Sequence, residues 1–108
     1  MSDLATKKCV PCEGGIPALH GEAVARLARE LDGWTVVEEH HLEKEYKFPN
    51  FVDALAYVNR LGEVAEREGH HPDIFLTWGK VKVTLWTHSV GGLSETDFIV
   101  AAKADAAL

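Results

Sequence analysis

The longest periodic stretch of this 108-residue chain is FVDALAYVNRLGEVAEREG, residues 51–69. Phe51, Leu55, Val58, Leu61, Val64 and Ala65 recur at three- and four-residue steps, the spacing of one apolar stripe on an α-helix. Asn50 is suited to cap its first turn. Gly69 is suited to end it, and Pro72 keeps the chain from continuing as helix, because the residue before a proline is pushed out of the helical region. A shorter stretch, EAVARLAREL, places Val24, Leu27, Ala28 and Leu31 at helical spacing and stops at Asp32-Gly33. A third helix is expected in SETDFIVAAKADAAL. Ser94 and Asp97 stand there at capping-box spacing, with Asp where Glu or Gln is usual.

The segments between them read as strands. Trp34–Glu38 and His41–Phe48 flank a short turn, and the second alternates Leu42, Lys44, Tyr46 and Phe48 against Glu43, Glu45 and Lys47. DIFLTW and KVKVTLWTH follow, joined by a tight turn at Gly79-Lys80. The last strand alternates strictly. Val81, Val83, Leu85 and Thr87 face one way, Lys82, Thr84, Trp86 and His88 the other. The order helix–strand–strand–helix–strand–strand–helix predicts an α+β fold. It is a two-layer sandwich with a four-stranded antiparallel sheet and three helices packed on one face. The other face would expose Trp86, which suggests a binding surface or subunit contact. Residues 1–20, rich in Gly and Pro around EGGIP, read as an N-terminal arm, and residues 21–108 as a single domain.

Composition narrows the functional classes. Eleven Lys and Arg against 17 Asp and Glu leave a net charge of −6. An acidic chain without a basic cluster argues against nucleic acid and against anionic membranes. No apolar run approaches the ~20 residues that span a bilayer, and MSDLATKKC lacks the apolar core of a signal peptide. A cytoplasmic protein is expected. Cys9 and Cys12 form a lone C-x-x-C in the arm. No second pair completes a zinc site and no strand precedes it as in a redox motif, so reduced thiols in a loose segment are the plain reading.

Six histidines are the distinctive chemistry. His40 and His41 sit beside the first hairpin turn, where solvent exposure explains them, and His20 lies in the arm. His70 and His71 lie at the end of the long helix, Glu66 one turn before His70, and His88 closes the last strand. A carboxylate beside an imidazole favours its charged form and fixes its tautomer, a common preparation for acid/base work near neutral pH. Three readings stay open at this level: an acid/base pocket, a metal site, or exposed histidines, of which a helix C-terminus favours any. Adjacent histidines suit one ion poorly, and no H-x-x-x-H or H-E-x-x-H is present.

Glu66, His70, His71 and Pro72 (E-x-x-x-H-H-P), then Trp78, KVKVTLWTH and GGLSETD, resemble the pterin-4a-carbinolamine dehydratase family. The likeness runs from about Leu19 to Ala102 and includes Gly33-Trp34 and FPNFVDALAYVNRLGEVAE. The resemblance implies a dehydratase-like domain that eliminates water from 4a-hydroxytetrahydrobiopterin to give quinonoid dihydropterin. No metal or organic cofactor is implied. Carried over by motif, His70, His71 and His88 would be catalytic, and Glu66, Trp34, Thr87 and Asp97 would bind substrate. A homodimer or homotetramer is implied, with a pterin-dependent aromatic amino acid hydroxylase as pathway partner. The alternative is a protein-binding dimerisation cofactor or regulatory module without a catalytic role.

Overall fold

The computed structural model describes residues 4–7 and 17–108, so Cys9 and Cys12 lie outside the described residues. The elements are α1 (Glu22–Ala28), β1 (Thr35–Val37), β2 (His41–Lys47), α2 (Phe51–Glu68), β3 (Asp73–Thr77), β4 (Lys80–Leu85) and α3 (Glu95–Ala106), with 3-10 turns at Leu4–Thr6 and His88–Val90. The four strands pair antiparallel in the order β1-β2-β4-β3. The helices cover one face, which is the expected α+β sandwich. Val36, Leu42 and Leu85 share a row on the covered face, as do Tyr46, Val81 and Leu76, because side chains directly opposite across a ladder point the same way.

Three expectations need correction. First, α2 buries only the C-terminal part of the stripe read from its sequence. Its buried residues are Ala54, Tyr57, Leu61, Val64 and Ala65, while Phe51 and Leu55 are about two-fifths exposed and Val52 73% exposed. The helix is rotated so that Tyr57 enters the core. Its ring lies 4.8 Å from that of Tyr46 and 5.5 Å from that of Phe48, and its hydroxyl donates to Ala104 O at 2.8 Å. An aromatic ring with a satisfied hydroxyl outcompetes a smaller Leu for that position. Second, the turn before β4 is Trp78-Gly79, one residue earlier than expected. A side chain at Gly79 would meet Phe48 O at 2.9 Å, and Phe48 N–H donates to Gly79 O at 2.8 Å. Third, the arm is not wholly loose. Leu4 is fully buried against α3, and Lys103 Nζ donates to Ala5 O at 2.9 Å.

α3 is the centre of the molecule. Thr96 to Ala101 and Ala104 are all buried, since the sheet, α1, α2 and the Leu4 turn surround it. At its C-terminal end Asp105 gathers three donors. Lys44 Nζ (2.7 Å) and Tyr46 OH (2.6 Å) bond to Oδ1, and Trp34 Nε1 (3.2 Å) to Oδ2. This fixes β2 and the start of β1 to the helix layer.

Two measurements test this core. Leu4→Ala should lower unfolding stability by about 2–5 kcal/mol, the usual range for a buried leucine; a loss below the noise of denaturant titration would show that the turn is not docked. The chain has two tyrosines, and both are held above the ordinary value of 10. Burial and the Asp105 bond raise Tyr46, and burial raises Tyr57 to about 12. The unfolded state therefore releases protons that the native state keeps, so this contribution is intact below pH 10 and falls as pH rises toward the folded values. Tyrosinate absorbance should appear only together with unfolding; a tyrosine ionising near pH 10 in folded protein would contradict the packing.

Candidate active site

The site is assembled where α2 ends, β4 ends and α3 begins. Gly69 caps α2 in the left-handed conformation, with φ 66 and ψ 26, and His70 N–H donates to Ala65 O at 3.2 Å. This reversal at a C-terminal glycine is common. It turns His70 off the helix surface, so the expected Glu66–His70 pairing at four residues does not form. Glu66 instead approaches His71, with Oε2 3.3 Å from Nε2, and both side chains are largely exposed.

His70 pairs with Asp97. Its Nε2 lies 2.6 Å from Oδ1 of a carboxylate that has no exposure. The other oxygen, Oδ2, accepts from Thr87 Oγ1 at 2.8 Å and from Ser94 N–H at 2.9 Å. Ser94 and Asp97 form the capping box of α3, so the helix N-terminus also favours the negative charge. Ser94 Oγ is 2.8 Å from Thr87 Oγ1. An ionised carboxylate only accepts, so the neutral His70 carries its proton on Nε2 and turns a basic Nδ1 away from the carboxylate. Protonation at Nδ1 gives an imidazolium already paired with Asp97, which is what a general base beside a buried carboxylate needs.

His88 follows from the same carboxylate. β4 ends at Leu85, and Thr87 and Gly92 close a separate bridge, with Thr87 N–H donating to Gly92 O at 2.7 Å. His88 is thus in a 3-10 turn rather than at the end of the strand. Its ring stacks on Trp86, with centroids 3.8 Å apart and planes 20° apart. Trp86 is half-buried, and His40 also lies against it, with ring centroids 4.5 Å apart. The expectation of a bare tryptophan on the open face is therefore corrected. His40 and His41 are likewise half-buried rather than solvated.

Asp97 thus links His70 directly, and His71 and His88 through their chain neighbours His70 and Thr87. Trp34 is not part of this group. It bonds Asp105, eight residues along α3, or about 12 Å at 1.5 Å per residue. The sequence reading missed Ser94 as more than a cap, and missed His40, His41 and Trp86 as a packed cluster; adjacency of His40-His41 to a strand paired with β4 was the available signal. Among the described residues no three His, Cys, Asp or Glu side chains group as a metal site requires. Every buried side-chain N or O described has a partner. No helix described is long and apolar enough to cross a membrane.

Comparison with known proteins gives the family and the fold. Residues 17–107 match the family profile described as "Pterin 4 alpha carbinolamine dehydratase". A Rubrobacter xylanophilus protein named "Putative pterin-4-alpha-carbinolamine dehydratase" is 56% identical over 105 residues, covering 97% of this chain and 98% of its own. A protein of the same name from Alkaliphilus metalliredigens is 54% identical, covering 97% and 96%. The crystal structure of a "transcriptional coactivator/pterin dehydratase" from Brucella melitensis superposes with TM-score 0.78 at 33% identity, over 82% of this chain and 96% of that one. A pterin dehydratase-like protein whose structure is titled a RuBisCO assembly factor in the alpha-carboxysome shares the fold at TM-score 0.61 and 24% identity, over 70% and 89%.

Asp97→Asn tests the carboxylate. It keeps the shape but leaves the donors of Thr87, Ser94 and His70 competing for one acceptor oxygen, and should cost about 1–3 kcal/mol of stability. Long-range 15N–1H spectra of the unaltered protein should show neutral His70 protonated on Nε2. A neutral His70 protonated on Nδ1 would contradict the contact with Asp97.

Proposed function

This chain belongs to the pterin-4a-carbinolamine dehydratase family, and we propose that it catalyses the family's dehydration, turning 4a-hydroxytetrahydrobiopterin into quinonoid dihydropterin and water. The observation that carries this reading is the contact between His70 and the fully buried Asp97. The reaction breaks the C4a–O bond. The leaving hydroxyl takes a proton and departs as water, and the proton on N5 is removed as the C4a=N5 bond forms. No electrons are gained or lost, so imidazoles suffice for both transfers.

His70 and His88 are the proton-transfer groups in this reading. His70 takes a proton on Nδ1, and Asp97 stabilises the resulting imidazolium through its Nε2–H. His88, exposed on the next turn of chain after Thr87, serves as its counterpart. His71 binds the ring and assists at N5, and Glu66 orients it through the 3.3 Å contact. Asp97 and Thr87 act through His70 and the 87–92 loop rather than by touching the pterin. Trp34, tied to Asp105, stands outside the substrate contacts in this assignment. A pterin-dependent aromatic amino acid hydroxylase would supply the 4a-hydroxypterin. Self-association into a dimer or tetramer is supported by Phe51, Val52, Leu55, Phe75 and Trp78, which remain exposed. The same exposed apolar residues support the second reading, a dimerisation or regulatory module.

The assay is direct. With a hydroxylase generating the intermediate, the purified protein should speed the loss of its ultraviolet absorbance. His70→Ala and His88→Ala should each reduce that acceleration by about 10²–10⁴-fold, the usual value of a general acid or base, with the fold retained by circular dichroism. Folded wild-type protein with no acceleration would refute the enzyme reading, and a stoichiometric protein partner recovered with it would favour the second. Wild-type rates in either variant would refute the site.

A further inference from the structure

The stack on the open sheet face carries an inference about histidines that the dehydration scheme leaves unused. The turn between β1 and β2 is built at a cost. Glu38 and Glu39 both adopt left-handed backbone, with φ 52 and 54, and His40 N–H donates to Val37 O at 2.8 Å, the pattern of a type I′ turn. Two non-glycine residues there cost on the order of 1–3 kcal/mol each. The turn is held by Glu39, whose Oε2 accepts from Gly21 N–H at 3.0 Å and whose Oε1 lies 3.4 Å from His20. Its consequence is the position of His40, with its ring 4.5 Å from Trp86.

The hydrogen bonds beyond it set the tautomers. Lys82 Nζ lies 3.0 Å from Glu43 Oε2, and Glu43 Oε1 accepts from His41 Nε2 at 3.1 Å. The Lys82 and His41 bonds hold the Glu43 carboxyl below the usual carboxylate range. Neutral His41 then offers Nδ1 as acceptor to His40 Nδ1–H, 3.1 Å away. A line of groups therefore runs from Lys82 through Glu43 and His41 to His40, then across the Trp86 indole to His88. The indole face attracts a cation, and two imidazoles lie against the indole, with centroids at 4.5 Å and 3.8 Å.

We infer that Trp86 is a positioning residue for His88 and that, through this indole, the charge on His40 is coupled to the charge on His88. Stacking fixes the plane of an otherwise exposed imidazole and sets it against the electron-rich indole face. A charge on His40 competes for the same indole and opposes one on His88. Charged or titratable groups on the elements that carry the stack are Glu38 and Glu39 in the turn, His41 and Glu43 on β2 and Lys82 on β4; Asp97, which holds His70, bonds Thr87 between Trp86 and His88. Of these, His41 has a direct contact with a member of the stack. The catalytic consequence rests on the dehydratase reading; the coupling itself does not.

The chain has three tryptophans, so 5-fluorotryptophan labelling gives three 19F signals, and Trp86→Phe identifies that of Trp86. Titrated without substrate from about pH 5 to about pH 9, the range in which imidazoles change charge, the Trp86 signal should move in two steps. His88→Gln should abolish one step and His40→Gln the other, moving the remaining His88 step to higher pH. A Trp86 signal unaffected by either variant, or a His88 step that His40→Gln leaves in place, overturns the coupling whatever the enzyme assay returns. In that assay, Trp86→Leu should lower kcat by about two- to fivefold with KM little changed, and Trp86→Phe should restore most of it, as a cation–ring contact of this exposure predicts. Equal loss in Leu and Phe variants overturns the positioning role. Absence of activity in the wild type would instead defeat the dehydratase reading and leave the 19F titration to decide the coupling.

Discussion

The Asp97 carboxylate is the constraint on which the rest of the site depends. A buried charge is costly unless its lone pairs are filled. Here one oxygen takes His70, and the other takes the Thr87 hydroxyl and the Ser94 amide. Each of these donors belongs to a different piece of chain: the exit from α2, the exit from β4 and the N-cap of α3. Satisfying one group therefore fixes three chain segments relative to each other. The pairing of His70 with Asp97 exists because the burial of Asp97 makes any looser arrangement unfavourable.

α3 repeats the device at its far end. Asp105 holds Lys44, Tyr46 and Trp34 as Asp97 holds His70, Thr87 and Ser94. The two ends differ in what their donors can do. At Asp105 the partners are an ammonium, a phenol whose proton is held tightly by burial, and an indole, none of which exchanges protons near neutral pH. At Asp97 one partner is an imidazole, whose second nitrogen can accept a proton. The same physical arrangement clamps the fold at both ends, and at Asp97 one residue type, the imidazole of His70, adds the group that the proposed reaction would use.

Much of this was legible in the sequence, and the reasons are specific. β4 was readable because Val81, Val83 and Leu85 alternate with polar residues and the period matches a half-buried strand. The α3 cap was readable because Ser94 and Asp97 have the spacing of a box, although its second use, holding Thr87 and His70, requires contacts between distant parts of the chain. The rotation of α2 was not readable. Apolar residues lie on more than one of its sides near the N-terminal end, and only the tertiary partner of Tyr57, Ala104 O, decides which side is inward. The pairing of Glu66 with His71 rather than His70 was hidden for a related reason: helical spacing holds only inside the helix, and Gly69 ends it one residue too soon. Family resemblance supplied the histidine set that local chemistry left open among three readings.

The His40–Trp86–His88 stack shows a different limit. Read along β4, Trp86 alternates with buried neighbours and should face solvent; read across the sheet, the β1–β2 turn brings His40 onto it. Neither strand alone contains that information. The turn's two left-handed glutamates argue that the placement is maintained against a local preference, since Gly or Asn would relieve the backbone at those positions. Glu39 uses its carboxylate on Gly21 N–H at the start of α1, a contact glycine could not make. Among the described residues Glu38 has no such compensating contact, so the strain there is carried by the surrounding hairpin. A hairpin that carries strain to set one imidazole against an indole, itself stacked on a candidate catalytic histidine, ties the edge of the sheet to the candidate site beyond the end of β4.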